Sequence, residues 1–326
     1  MNYLGRWLLA SALVWSIFQI SAFSQEYPSR LVRVVVPYPA GGGTDIMARA
    51  IAERLSRAWG QPVTVENKLG GGTTIAAEAI ANSAADGYTL FVTADLTITG
   101  NPFTYKKLSY DPLKDFAPIT NLAWGQQMVV VHSSVAANTM KELVALIKSK
   151  PGELNYGSFG AGSQTDLVFE GLGTLYGARL TNVPYKGLVP ALQAAAAGEV
   201  QLTLAGVPFA RGFVQSGQLK AIAMAAAERS PLAPDIPTLR EAGFPNIDLR
   251  TWIALFAPGG TPGQIIKKIH ADVAAIYTDR DFVEKQILQK GFGSAINASP
   301  EEFAAYIRSD MVYKEQLLKN AGIRAQ

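Results

Sequence analysis

The chain has 326 residues, which is enough for one large or two ordinary domains with a sizeable core. Its composition, 48% hydrophobic and 17% charged, is that of a folded globular protein and excludes disordered and fibrous classes. The net charge of +3 is carried by scattered basic residues and excludes the basic excess of nucleic-acid binders. Because the chain has no cysteine, disulfides, thiolate metal sites, a cysteine nucleophile and a lipid-modified cysteine are also excluded.

The N-terminus has the pattern of an export signal. A single positive charge precedes an apolar run from Trp7 to Ile20, and small residues follow at Ala22 and Ser24. This pattern predicts a signal peptide, residues 1–24, cleaved before Gln25. The alternative is an uncleaved anchor helix, for which the run is short. No later segment is apolar enough to span a bilayer, so we expect a soluble, exported protein of the periplasm.

The first element of the folded part is a glycine turn between a strand and a helix. The β-branched run Val32–Val36 predicts a buried strand of a parallel sheet, and residues 37–43 end it with three glycines. Apolar residues then recur at helical spacing, with Thr44 as the predicted N-cap. The first N–H groups of a helix lack internal acceptors and lie at its positive end, so this turn predicts an anion site.

The same unit recurs twice along the chain. A strand at 63–66, a glycine loop at 67–72 and a helix at 73–84 lead to a strand at 88–93. Residues 94–100, with Thr97 and Thr99, are predicted to form a polar loop at the edge of a sheet. After a strand at 128–132 and a helix at 139–148 comes the third unit, with a strand at 154–157, a loop at 158–162 and a helix at 163–176. A fourth loop, 183–187, opens another helix.

Further strands are predicted at 200–204, 219–223 and 248–257, and helices at 262–278, 281–290 and 299–321. This alternation predicts an α/β fold with mixed, mostly parallel sheets and helices on both faces. We expect two lobes, the first formed by residues 25–125 and 247–326 and the second, residues 126–246, inserted between them. Ligands of such sheets bind at the carboxyl ends of strands, where the glycine loops lie. A single loop of this kind often only closes a corner, whereas several facing one another would surround a carboxylate with N–H and hydroxyl donors.

Catalytic and cofactor motifs are missing from the sequence. Neither the phosphate-binding pattern GxxxxGK[ST] nor the dinucleotide pattern GxGxxG occurs, and the two histidines, His132 and His270, have no partner motif. We therefore expect no catalytic residue, no metal site, no cofactor and no nucleic-acid partner. Asp45 and Asp166 each fall in a first helical turn, where an acid complements the helix dipole without any further role. Asp166 is also a candidate for the cleft.

The ordered set of motifs resembles a known family, the extracytoplasmic solute receptors of the tripartite tricarboxylate transporter system, or Bug proteins. The matching blocks are PYPAGG at 37–42, ADGYTL at 85–90, DPLKDFAPI at 111–119, GSFGAGS at 157–163, VPYKG at 183–187 and FAP at 256–258. The resemblance implies a two-lobed type II fold, a Venus flytrap, that closes on a small organic acid without catalysis. It also implies a monomer that docks on a membrane permease or, alternatively, on a sensor kinase. A third hypothesis is an exported α/β enzyme, which the missing catalytic motifs disfavour.

The resemblance also implies the ligand-binding residues. The first lobe would hold one carboxylate through two loops, and the second lobe would close over the rest of a di- or tricarboxylate, an amino acid or an aromatic acid. The first-lobe candidates are Tyr38, Pro39, Ala40, Gly41, Gly42, Thr44, Asn67, Gly72, Thr73, Thr74 and Thr93. The second-lobe candidates are Ser158, Gly160, Gly162, Ser163, Thr165, Asp166, Tyr185 and Ala205.

Three positions depart from the family pattern. The family usually has histidine at the position of Asp166, glycine at that of Thr73, and an acidic or amide residue where Ala205 and Gly206 stand. Thr73 would narrow the pocket of its loop. Since a buried ammonium group needs a charged partner, the loss of an acidic group at Ala205 favours a plain carboxylate over an amino acid.

Overall fold

The computed structural model describes residues 27–160, 162–244, 249 and 251–325. The predicted signal peptide, residues 1–24, therefore lies outside the described residues. The strands are β1 (Val32–Val36), β2 (Val63–Asn67), β3 (Thr89–Ala94), β4 (Phe116–Gly125), β5 (Gln127–His132), β6 (Asn155–Ser158), β7 (Thr181–Pro184), β8 (Leu202–Gly206), β9 (Leu219–Met224), β10 (Trp252–Pro258) and β11 (Phe292–Ser294).

The helices, numbered in chain order, alternate with these strands. They are α1 (Gly43–Trp59), α2 (Thr74–Ala81), α3 (Asn101–Thr104), α4 (Met140–Ser149), α5 (Gln164–Tyr176), α6 (Leu188–Ala197), α7 (Val207–Gln215), α8 (Gly263–Ile276), α9 (Arg280–Phe282) and α10 (Pro300–Asn320). A π-helical turn, Leu96–Gly100, precedes α3, and α9 continues through a π turn, Val283–Ile287, and a 3-10 turn, Leu288–Lys290. Of the helices in the described part of the chain, none has the length and apolar character needed to cross a bilayer.

The first sheet has six strands in the order β11-β4-β10-β3-β1-β2. The predicted strand Val32–Val36 is confirmed, and its valines are buried on both faces because helices cover both sides of the sheet. Helices α1 and α8 pack on one face, through Met47, Leu55 and Ile269 among others, and α2 and α10 pack on the other. Helix α1 ends where Gly60 takes the left-handed conformation, with φ of 62°.

The second sheet has five strands in the order β7-β6-β8-β5-β9, covered by α4 and α5 on one face and by α6 and α7 on the other. The predicted α/β architecture with two mixed sheets is confirmed. The prediction that most pairing is parallel is wrong: of the nine strand pairs in the described sheets, four are parallel, β1 with β2 and β3 and β6 with β7 and β8. Strands β10 and β5 pair antiparallel with both of their neighbours because each enters its sheet from the other lobe.

The chain passes between the sheets where β4 ends at Gly125 and β5 begins at Gln127, and again before β10. Helix α10 starts against the first sheet through Phe303 and Ile307, and its last turn enters the core of the second sheet through Leu318. Since residues 245–248 lie outside the described residues, the lobe boundaries, 25–125 with 247–326 and 126–246, stay predictions.

The prediction of a polar edge loop at residues 94–100 is wrong. This segment forms the π-helical turn before α3, and the side chains of Thr97 and Thr99 are fully buried. The Thr97 hydroxyl is hydrogen-bonded to the hydroxyl groups of Thr93 and Thr73, and the Thr99 hydroxyl donates to Asp310 Oδ2. Both threonines therefore pack inside the protein although they are polar residues, because buried partners satisfy their hydroxyl groups.

Candidate functional site

The two lobes present the same local structure at their facing edges. In the first lobe, the Gly41 N–H donates to Asp45 Oδ2 at 2.9 Å, and Asp45 lies in the first turn of α1. In the second lobe, the Gly162 N–H donates to Asp166 Oδ2, also at 2.9 Å, and Asp166 lies in the first turn of α5. Each aspartate therefore ties the glycine turn back onto the helix that follows it.

An asparagine from the next strand completes each turn. Asn67, at the end of β2, donates to Asp45 Oδ1 at 2.8 Å and to the Tyr38 carbonyl oxygen at 2.9 Å. Asn182, in β7, donates to Asp166 Oδ1 at 2.9 Å. Asp45, Asp166 and Asn67 thus position the loops through hydrogen bonds. Both carboxylates also lie where an acid complements the helix dipole, as the sequence predicted.

The predicted N-cap of α1, Thr44, is wrong. Gly42 is the N-cap, in an extended conformation with φ of −77°, and its position provides no side-chain oxygen for the first N–H groups. Ser163, the N-cap of α5, makes no capping bond with its side chain either. Because the first turn of a helix has no internal acceptor for its N–H groups, both helix starts retain donors for an anion.

The electrostatic surroundings of the two aspartates differ. Burial opposes ionisation of Asp45, but hydrogen bonds from Arg49, the Gly41 N–H and Asn67 outweigh it and lower its pKa. Around Asp166, burial raises the pKa to about 7, and the charge of Glu170, one helical turn along α5, adds to the shift. The position four residues after the aspartate thus holds a cation in one lobe and an acid in the other.

Both helix starts line one cavity between the lobes. Gly43 and Thr44 of α1 face it from the first lobe, and Ser163 and Gln164 of α5 from the second. The Ser163 side chain is 2% exposed, and its Oγ has no hydrogen-bond partner among the described residues. A buried polar group in this state is typical of a site completed by a ligand or water. This cavity is the candidate binding site.

The remainder of the cavity is built from apolar and neutral side chains. Its walls include Leu96, Phe159, Phe209, Ile253 and Phe292, and its hinge side includes Gln126, Gln127 and Thr251. Thr251 Oγ1 and Gln127 Oε1 are buried and, within the described residues, lack a hydrogen-bond partner. Among the described residues that line the cavity, none is charged.

The lobes are in contact around this cavity. Gln164 Nε2 donates to Asp95 Oδ1, at the end of β3, at 2.7 Å. A Cβ built on Gly162, which has φ of +72°, would lie 2.1 Å from Thr104 Cγ2, so only glycine allows this approach of the second lobe to α3. The structure is therefore a closed form of the two lobes.

The second glycine loop carries its own polar network. Thr73 has a left-handed backbone, with φ of 82°, which is unusual for a β-branched residue. Its Oγ1 accepts hydrogen bonds from Thr97 Oγ1 at 2.9 Å and from Asn101 Nδ2 at 3.1 Å, and Thr97 Oγ1 lies 2.6 Å from Thr93 Oγ1. This network connects the second glycine loop with the end of β3.

The structure brings some predicted residues to the cavity and leaves others beside it. The residues that line it are Tyr38, Pro39, Gly42, Thr44 and Ser163. The remaining candidates lie in the loops, in the networks described above or, for Tyr185 and Ala205, against the apolar core of the second sheet. Their direct contact with a ligand stays a prediction.

Several lining residues were not predicted. Gln126, Gln127, Thr251, Phe209 and Phe292 come from four separate segments that meet only because β4, β5, β10 and β11 converge at the crossing between the lobes. No local motif marks them. Phe159, in the third glycine loop, also lines the cavity.

Two mixed sheets joined by crossing strands, with a cavity between the facing helix starts, define the chain as a two-lobed solute-binding protein of type II. A family model described as tripartite tricarboxylate transporter family receptor matches residues 47–323. The chain belongs to this family. BugT of Bordetella pertussis is a relative, 30% identical over 302 residues that cover 92% of each chain.

Solved structures of similar proteins agree with this assignment. R. palustris Rpa4515 with adipate has a TM-score of 0.88 and 32% identity, covering 92% of this chain and 100% of that one. MatC from Rhodopseudomonas palustris with bound malate has a TM-score of 0.83 and 33% identity, covering 90% of this chain and 100% of that one. The periplasmic binding protein BugD has a TM-score of 0.85 and 30% identity, covering 92% of this chain and 100% of that one.

Proposed function

We propose that this protein captures a small organic carboxylate between its two lobes in the periplasm and delivers it to a tripartite tricarboxylate-type transporter. The observation that carries the proposal is the shared cavity of the α1 and α5 starts, with the unpartnered Ser163 hydroxyl between them. Two positive helix ends and free N–H groups stabilise one negative charge in a cavity whose described lining residues are uncharged. Adipate and malate in the similar structures are carboxylates of the size that this class of protein encloses.

Binding is the whole activity under this proposal. Contacts from both lobes exist only when the lobes are closed, so the ligand stabilises the closed form and each monomer takes one ligand without turnover. Export after cleavage before Gln25 follows from the signal pattern and is part of the same proposal.

The binding test uses a thermal-shift screen of mono-, di- and tricarboxylates and amino acids, followed by calorimetry. A carboxylate at about 100 times its Kd is expected to stabilise the fold by about 2.7 kcal/mol. Gly42→Val is expected to abolish binding while the protein stays folded. A Cβ there is compatible with φ of −77° and lies 3.3 Å from the Pro39 carbonyl oxygen, and the two methyl groups would fill the carboxylate end of the cavity.

Gly263→Val is the matched control, since Gly263 also begins a helix, has open space around it and does not line the cavity. It is expected to bind as the unmodified protein does. Failure of every carboxylate to bind, or an unchanged affinity of Gly42→Val, would contradict the proposal.

Delivery is tested in the cell. Deleting the gene is expected to abolish uptake of the ligand found by the screen, and the unmodified gene restores it. If uptake persists while a transcriptional response to the ligand is lost, the receptor presents its bound state to a sensor kinase instead.

A further inference from the structure

The candidate cavity has two polar ends. At one end lie the starts of α1 and α5, with Ser163 Oγ; at the other lie Gln127 Oε1 and Thr251 Oγ1, where the chain crosses between the lobes. These three atoms are buried and unpartnered within the described part of the chain, and the Ser163 and Thr251 residues are 2% and 7% exposed. Since no described residue serves as their partner, a ligand or water is the kind of group that would satisfy them.

The two ends differ in the charge that they accept. The helix ends attract one negative charge. The far end has no such field, and no charged side chain among the described residues lines it. A second carboxylate at the far end would be buried without a counter-charge, and so would an ammonium group. Burying an unpaired charge of either sign costs free energy.

A phenylalanine side chain runs along the cavity from one end towards the other. The backbone of Phe292 pairs with Gly125 at the far end, while a Cβ built on Gly43 at the helix end would lie 2.9 Å from Phe292 Cζ. One phenylalanine side chain therefore spans the cavity alongside the ligand. Phe209, whose ring centroid lies 6.5 Å from that of Phe292, and Phe159 supply further apolar wall.

The aromatic rings also restrict what stands next to the carboxylate. Phe209 Cζ lies 3.7 Å from the same Cβ position on Gly43, so both rings pack directly beside the helix start. A polar substituent on the carbon that carries the carboxylate would be pressed against these rings without a hydrogen-bond partner, whereas an apolar carbon gains burial.

At the far end the unpartnered Gln127 Oε1 is an acceptor, so a ligand group that reaches it without an intervening water has to donate a hydrogen. A ligand hydroxyl group has both a hydrogen to donate to the Gln127 oxygen and lone pairs to accept from the Thr251 hydroxyl. A carboxylate has no hydrogen to donate. We propose that the ligand is a monocarboxylate with an apolar, ring-sized body and a hydroxyl group at the end opposite the carboxylate, an inference that rests on the proposed function.

Calorimetry on the purified protein tests this with probes of one shape: benzoate, 4-hydroxybenzoate and terephthalate, beside citrate and glutamate. We expect 4-hydroxybenzoate to bind about tenfold more tightly than benzoate, the effect of one buried hydrogen bond, and the other three probes to bind more weakly than benzoate. Gln127→Leu is expected to remove the preference for the hydroxyl group, measured as the ratio of the 4-hydroxybenzoate and benzoate affinities of the same variant.

Tighter binding of terephthalate, citrate or glutamate than of 4-hydroxybenzoate would overturn this inference and leave the proposed function standing. So would a Gln127→Leu variant that keeps the hydroxyl preference. If no probe binds but another carboxylate in the screen does, the ligand class is wrong. If no carboxylate binds at all, the proposed function fails as well.

Discussion

Asp45 and Asp166 have the same place in their lobes and opposite electrostatic surroundings. Each accepts from a glycine N–H and from an asparagine, but Arg49 neighbours Asp45 and Glu170 neighbours Asp166. Tyr156 donates its hydroxyl hydrogen to this acidic pair, at 3.1 Å from Asp166 Oδ1 and 2.7 Å from Glu170 Oε1. The second-lobe turn is therefore held by a carboxyl group that titrates near neutral pH, whereas the first-lobe turn is held by an ionised one.

Asp166→Asn tests this difference. The folded-state pKa of Asp166 is about 7, above the unfolded value of about 3.9, so its stabilising contribution is fully present below about pH 4 and is lost as pH rises through 7. Relative to Asp166→Asn, the unmodified protein should lose about 3 kcal/mol of unfolding free energy between pH 5 and pH 8, at about 1.36 kcal/mol per pKa unit. Urea denaturation of both proteins at the two pH values measures this change in unfolding free energy.

Asp45→Asn is the control at the equivalent position. Because the pKa of Asp45 is lowered, its contribution is present above the unfolded pKa and is lost only in more acid solution. The difference in free energy of unfolding between Asp45→Asn and the unmodified protein should therefore be the same at pH 5 and at pH 8. An equal pH dependence for both variants would refute the assignment of the neutral titration to Asp166.

At the scale of elements, a buried ion pair holds helix α10 against the residue that follows β3. Lys314 Nζ lies 2.6 Å from Asp95 Oδ2, both side chains are 3% exposed, and Lys314 also donates to the Leu249 carbonyl oxygen. Although burial lowers the pKa of Lys314, the charges of Asp95 and Asp310 raise it, so the ammonium stays charged. Asp95 in turn accepts from Gln164 of the second lobe.

Lys314→Met is expected to destabilise the fold by about 3–5 kcal/mol, because it leaves the Asp95 carboxylate buried without its cation. Urea denaturation measures the loss, and adding Asp95→Asn should restore a large part of it. Lys285→Met is the control, since its pair with Asp281 is exposed on both sides and solvent screening leaves such a pair little effect on stability. Equal effects of the two lysine substitutions would show that burial does not set the strength of the α10 pair.

At the scale of the molecule, closure depends on the space between Gly162 and Thr104. Gly162→Ala is expected to weaken ligand binding at least tenfold, because its Cβ would collide with Thr104 Cγ2 in the closed form. Adding Thr104→Ser removes that methyl group and leaves Thr104 Cβ, at 3.2 Å, as the nearest atom, so affinity should recover.

Small-angle scattering with saturating ligand follows the same variants. The single variant should stay more extended than the double variant, while the strain of a non-glycine residue at φ of +72° is common to both. If the double variant binds no better than Gly162→Ala, backbone strain rather than the contact between the lobes limits binding.

The sequence by itself determined the class of fold, the three strand–turn–helix units and the family. These are local properties: β-branched runs, glycine turns and apolar periodicity act over a few residues and leave their record in consecutive positions. Val32–Val36, the start of α5 after Ser163 and the glycine turn before α1 could all be read in this way.

Only the tertiary structure decided what the turns enclose. Thr97 and Thr99 are polar and were predicted at the surface, yet the polar groups that satisfy them come from Thr73, Thr93 and Asp310, up to 211 residues away in the chain. Gln127, Thr251, Phe209 and Phe292 meet at the cavity because strands from both lobes cross at one place. A contact between residues far apart in sequence leaves no local pattern, and the far end of the ligand site consists of such contacts.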